Sequence, residues 1–425
     1  MRNAPPWPNA VLRELRRARP RLGLQQRLTV PRPSSVERWG DEETSDHAWA
    51  AVWRDVKMLY THGLHPAIAL HVRHRGRVVL DRTVGHLHHD VGLPPSGPVV
   101  TPDTLFNMFS ASKIITAALV LALCEDGALD LDTPAAHWLP PFGRHGKEHI
   151  TIKHLLQHTA GIPNMPAGPD FAQMVRTGRI ELDALWEMKP TAPPGTDVAY
   201  HPISSWIILE RVIEAATGED LRDVLSRRLL QPMGLSHLNY GVMPRDLDRV
   251  ARHTVTGAPM PPIMASIFQR TIGLDFAAAI QLTNEPAFLQ TVLPSANIIG
   301  TPREAGAFLQ MLLDDGFYGG QQVLRPATVR AMHTDRSPLQ RDSTLQFPMQ
   351  YGLGVMMGGD AFSLYGLGTR DAFGHLGLST VVVYADPRRD LVVAYLNTGK
   401  PMFAHGMVTW YATLQRIVLT VPRIR

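Results

Sequence analysis

The sequence predicts an α/β (α+β) fold: one antiparallel β-sheet built from both ends of the chain, flanked by helices, with a helical region inserted between. Three observations carry this expectation. Strand-like runs at 67–72 and 77–84, joined by Arg75-Gly76, read as a hairpin near the start. Runs at 380–385 and 391–396, joined by Asp386-Pro387-Arg388-Arg389-Asp390, read as a second hairpin near the end. Between them the apolar residues recur at helical spacing.

The elements follow in order. Residues 46–60 read as a helix, with Trp49, Val52, Val56 and Leu59 on one face. Residues 110–124 are apolar on almost every side, which predicts a helix buried all round. Further helices are expected at 151–158, 170–177, 203–217, 219–230 and 301–314. Gly218 suits the C-terminal cap of 203–217, and Pro302 the first turn of 301–314. A last helix fits 404–419. Residues 1–45, rich in Pro and Arg, read as a basic arm outside the core, with a short helix over 12–24. Residues 46–425 form one domain, its sheet part about 46–100 and 345–425 and its helical part about 101–344.

With 425 residues, 44% hydrophobic and 19% charged, the chain has ordinary globular composition and length for a large buried core. A net charge of +4 gives no reason to expect a nucleic-acid partner. The single cysteine, Cys124, forms no internal disulfide and reads as a buried, inert thiol. No apolar run reaches a membrane-spanning length, and residues 1–30 lack a signal-peptide core. A cytoplasmic enzyme without integral membrane segment is the expectation; the oligomeric state stays open.

Three short segments carry chemistry. In Phe109-Ser110-Ala111-Ser112-Lys113, Ser110 and Lys113 share a helix face if a helix starts at Ser110. A serine hydroxyl needs a base, and burial keeps a lysine near its neutral, basic form. In Ala199-Tyr200-His201-Pro202, Tyr200 offers a phenol to relay protons. In Phe373-Gly374-His375-Leu376-Gly377, Gly377 permits close approach to a strand. The N–H of Leu378, with that of Ser110, suits an oxyanion hole. His86-Leu87-His88-His89-Asp90 reads as a loop of histidines rather than a metal site. The 255–290 stretch, with Met260, Met264 and Phe268, reads either as a wall or cover of an acyl pocket or as a peripheral hydrophobic packing element.

Taken together, these segments resemble the S-x-x-K, Y-x-N and K-T-G/H-x-G set of the serine β-lactamase and penicillin-binding-protein superfamily. The run 150–161, Asp126-Gly127-Ala128-Leu129-Asp130, Gln231-Pro232-Met233-Gly234-Leu235 and Tyr351-Gly352-Leu353-Gly354 fit as well. The likeness spans roughly 50–420 and lies nearest the class C-like esterase and carboxypeptidase branch. It implies a β-lactamase/transpeptidase-like fold with the site between the sheet and the helical region. It also implies an acyl-enzyme on Ser110, with Lys113 and Tyr200 moving the proton and no cofactor or metal.

Two departures shape the expected substrate. Pro202 stands where the family has Asn, so its side-chain amide is missing, with His201 the only nearby candidate to compensate. His375 stands where lactamases carry Lys, so a fixed cation for a substrate carboxylate is missing. Both favour a small-molecule ester over a β-lactam. Two alternatives stay open: β-lactamase, D-amino-acid peptidase or acyltransferase activity at the same site, and a non-catalytic binding protein that keeps the fold.

Overall fold

The computed structural model describes residues 27–43, 47–166, 171–177, 182–402 and 405–424. The expected helix at 12–24 lies outside them. Eight strands make the main sheet: β1 (Glu37–Trp39), β2 (Ala67–His74), β3 (Arg77–His88), β4 (Ser96–Val99), β5 (Met356–Met357), β6 (Phe373–Leu376), β7 (Val382–Asp386) and β8 (Leu391–Asn397). Their order is β1-β3-β2-β8-β7-β6-β5, with β4 paired to β3. All these pairings are antiparallel. The chain ends meet at the centre, where β8 pairs with β2 from Leu391↔His74 to Asn397↔Ile68.

A period of two then assigns the two faces. Leu391, Val393 and Tyr395 of β8 pack with Ile68, Leu70 and Val72 of β2. They lie under α1 (His47–Thr61) and α7 (His405–Thr420), in one core with Trp49, Val52, Leu414 and Ile417. Val392, Ala394 and Leu396 face the other way, into the core shared with α2 (Ser112–Glu125) and α6 (Pro302–Leu313). The sheet is therefore covered on both faces, which explains why its strands read as nearly continuous apolar runs. Helix α2 runs through the second core, and every residue from Ser112 to Leu123 is buried. Helix α3 (Ser204–Thr217) packs beside it and ends at Gly218 in the left-handed conformation, φ 71°.

Four expectations need correction. Residues 33–39 are not outside the core: Pro33–Val36 is a short helix and β1 closes the sheet edge. Trp39 is held there by the Arg82 guanidinium, 3.7 Å from its ring centroid. Strand β3 continues through His86 to His88, so these two histidines belong to a strand, while His89 and Asp90 follow it outside the strand. Among the described residues no group of three or more His, Cys, Asp or Glu side chains is arranged to hold a metal ion. The inserted region is not all helix either. Phe106–Asn107 and Asn239–Tyr240 pair on either side of Ile298–Gly300 in a small sheet that leads into the Ser110 turn. Finally, α2 starts at Ser112, and Ser110 sits in a preceding 3₁₀ turn, Phe109–Ala111.

Candidate active site

From Thr104 to Leu123 every residue is buried except Ser110. The turn that lifts it out is built by its neighbours. Phe109 has φ 50°, a left-handed conformation that costs a non-glycine residue roughly 1–2 kcal/mol. The buried Asn107 offsets this by accepting the Phe109 N–H at its Oδ1, 2.8 Å away. Ser112, the other serine of the segment, is structural: its Oγ accepts the Ile298 N–H at 2.9 Å.

Lys113 lies beneath Ser110 and is fully buried. Its Nζ lies 3.1 Å from Ser110 Oγ, 2.9 Å from the Pro202 carbonyl and 2.9 Å from the Ser295 carbonyl. Loss of hydration pushes its pKa well below the usual lysine range. A neutral amine has two N–H groups and one lone pair. The two carbonyls can only accept, so they take both N–H groups. The lone pair then faces the Ser110 hydroxyl. Nothing in the residue types signalled Ser295, because it contributes a backbone carbonyl.

Tyr200 lies beside this pair. Its phenol interacts with the Ser110 side chain, and Lys113 Nζ lies 5.3 Å from its ring centroid. Burial, with the Asp342 charge adding to it, raises the Tyr200 pKa beyond its normal value, so it stays a phenol. Asp342 holds Tyr200 from behind. Its Oδ2 accepts the Tyr200 N–H at 2.9 Å and the Tyr351 hydroxyl at 2.7 Å. Its Oδ1 accepts the Thr344 and Leu345 N–H groups at 2.8 and 2.7 Å. The Tyr351 ring stacks on Tyr200 with planes 13° apart. Asp342 is 142 residues from Tyr200 in the chain, and no local pattern points to it.

His201 sits beside Tyr200 but turns away from the serine. Its Nε2 accepts the Ile162 N–H at 2.9 Å, and the His201 backbone N–H donates to His158 Nδ1 at 3.0 Å. Burial lowers its pKa to about 3, so it is neutral. The Pro202 carbonyl, and not this imidazole, is what contacts Lys113.

His375 lies in β6, with its ring centroid 5.9 Å from that of Tyr200. It is buried, and desolvation with the nearby Lys113 lowers its pKa to about 3. It therefore brings no cation. A Cβ on Gly377 would stand 2.5 Å from the Met108 carbonyl and 2.7 Å from Val381, so the close approach here is made by the protein's own backbone. This contact seats the 377–381 loop against the Ser110 turn. Thr380 and Asn397 exchange two hydrogen bonds, of 3.1 and 2.9 Å, that hold the far side of the loop. Leu378 N–H has no acceptor among the described residues.

Ser110 and Leu378 share the wall of an apolar cleft. Its other walls include Phe268 and Ile272 of α4 (Pro262–Ile272), Leu282 of α5 (Phe276–Leu282), and Phe288 and Leu293. The 255–290 stretch thus lines the cleft through Phe268 and its successors, while Met260 and Met264 are not in the wall. Helices α4 and α5 meet at 45° and form a bent apolar pair; no single described helix is long and apolar enough to cross a membrane.

Residues 56–416 match the Beta-lactamase family. The esterase/beta-lactamase LipL of Mycobacterium tuberculosis H37Rv is 24% identical over 307 residues, 68% of each chain. Esterase EstB of Burkholderia gladioli is 29% identical over 247 residues, 54% of this chain and 60% of EstB. The crystal structure of a family VIII carboxylesterase superposes with a TM-score of 0.73 at 21% identity, covering 87% of this chain and 98% of that one. The chain belongs to the Beta-lactamase family. It is a serine hydrolase with the β-lactamase/transpeptidase-like fold.

Proposed function

We propose that the protein cleaves carboxylic esters through an acyl-enzyme on Ser110, with Lys113 as the base. The hydrogen-bond inventory of Lys113 carries this reading. Both its N–H groups are directed to carbonyls, which leaves a lone pair for the Ser110 proton. As Ser110 Oγ attacks, its proton passes to Lys113 and the carbonyl oxygen takes on negative charge. The N–H groups of Ser110 and Leu378 stabilise that oxyanion. Tyr200, a phenol beside Ser110, hands a proton to the departing alcohol oxygen and is recharged through Lys113. Water then takes the alcohol's place and releases the acid by the reverse path.

Ester rather than β-lactam or peptide is favoured by what lines the cleft. No lysine, arginine or ionised histidine faces it, so a substrate carboxylate finds no counter-charge. Pro202 offers no amide for a substrate amide. The names of the LipL and EstB relatives agree with this reading. Lone Cys124 is compatible with a cytoplasmic setting, which we also propose. A test is covalent labelling by a serine-reactive fluorophosphonate alongside p-nitrophenyl butyrate turnover. Wild type is expected to label and turn over, and Ser110→Ala to do neither. Equal labelling of the two proteins would overturn the assignment.

A further inference from the structure

Resting on the ester reading, the geometry identifies the half of the ester that the cleft holds. The tetrahedral intermediate has four substituents. Ser110 Oγ is one, and the oxyanion faces the Ser110 and Leu378 N–H groups. The leaving oxygen must lie within reach of its proton donors, Tyr200 and Lys113. Neither Tyr200 nor Lys113 lines the apolar cleft. The fourth substituent, the acyl chain, is left to enter it.

The cleft also fixes the chain's chemistry. None of its lining residues is charged, and apart from Ser110 the one side-chain hydroxyl in the wall belongs to Thr283. That hydroxyl donates to the Ile280 carbonyl at 2.7 Å, so its proton is already committed. The apolar wall runs over Phe171, Phe268, Ile272, Leu282 and Phe288, more apolar surface than an acetyl group can cover. Two walls are clamped together outside the cleft. Arg176 on the Phe171–Thr177 helix makes two 2.7 Å bonds to Glu285, just ahead of the Pro286–Gln290 helix. Ala279, buried in the wall, is the position where a larger side chain shortens the space. We propose that the substrate's acid half is an uncharged, medium-chain acyl group seated in this cleft, with Ala279 and Phe268 setting its length.

The test separates chain length, side of the ester and charge. For p-nitrophenyl acetate, butyrate, hexanoate and octanoate, kcat/KM is expected to rise about fourfold per methylene, the ratio given by about 0.8 kcal/mol per buried methylene. Ethyl octanoate is expected to be cleaved at least about tenfold better than octyl acetate. Ala279→Leu lowers the octanoate-to-acetate ratio of kcat/KM about tenfold or more; Phe268→Ala, which removes apolar wall, lowers it by a smaller factor and keeps the test alive should A279L not fold. A flat or falling length series overturns the proposal. So does a preference for octyl acetate, or cleavage of a succinate monoester as fast as the butyrate ester. If instead Ser110→Ala retains the wild-type rate on every substrate, the ester reading itself has failed.

Discussion

Two lysines lie fully buried within a few residues' reach of the Ser110 turn, and they differ in what surrounds their nitrogens. Lys113 has two carbonyls and the Ser110 hydroxyl. Lys400 has one carbonyl, that of Asn397 at 2.8 Å, and the face of the Phe109 ring, 4.5 Å from its Nζ to the centroid. Desolvation pushes both pKa values well below the usual lysine range. Burial thus favours the neutral amine at either place. Only Lys113 has a hydroxyl opposite its lone pair, and for that reason Lys113 is the one proposed as the base. Lys147 is a third case. Its Nζ is directed to three carbonyls, of Arg144, Trp186 and Met188, which require three N–H groups and hence an ammonium.

The sharpest way to break this comparison is to exchange each lysine for methionine, an apolar chain of similar length. Lys113→Met is expected to lower kcat about 10³-fold, in line with the loss of a positioned general base, as measured on p-nitrophenyl butyrate. Lys400→Met is expected to lower kcat by less than about tenfold. Equal losses would mean that burial near the turn, not the serine–lysine contact, sets the rate.

A smaller effect is expected from the loop that faces the serine. Gly377→Ala places a Cβ against the Met108 carbonyl and displaces Leu378 from the Ser110 turn. The kcat is expected to fall about 10²-fold with KM changed much less, the pattern of an oxyanion donor moved out of place. Asp342→Asn replaces an acceptor of four hydrogen bonds by a group with one acceptor oxygen. It is expected to cost kcat about tenfold through misplacement of Tyr200. An unchanged kcat in a folded D342N protein would show that Tyr200 needs no such support.

The smallest effect is on stability, and its sign follows from linkage. Lys400 has a folded pKa below that of the unfolded chain, so the unfolded state binds the extra proton between the two values. Wild-type stability from this residue therefore falls as pH drops from about 10.5 towards the folded pKa. Lys400→Met removes that dependence. Its Tm is expected to exceed wild type at pH 7, and the gain to shrink as pH approaches about 10. A gain independent of pH would place the effect in packing rather than in the buried amine.

How much of this was legible in the sequence depends on what each residue contributes. Period-two and helical patterns gave the two terminal hairpins and the buried α2, because their burial is repeated over many residues. Strand β1, three residues long, has too few positions to show alternation. The Ser110–Lys113 spacing and Tyr200 were readable because side-chain type and short separation carry that signal. Ser295 acts through its backbone, and Asp342 through a contact across 142 residues; neither leaves a local pattern. Asn107 was in principle findable. An Asn two residues ahead of a left-handed residue is a common side-chain-to-backbone turn. His201 was placed near the site by its neighbour, but a fixed partner at Ile162 turned its ring elsewhere.

The most direct test of the Lys113 lone pair is the single-turnover rate of Ser110 acylation by p-nitrophenyl butyrate, followed against pH in wild type and Lys113→Met. Below the depressed lysine pKa the wild-type rate is expected to fall about tenfold per pH unit, and to be flat above it. In K113M the acid limb should vanish and the whole profile lie about 10³-fold lower. An acid limb of the same midpoint in K113M, or acylation within tenfold of wild type, would contradict the assignment of Lys113 as the base.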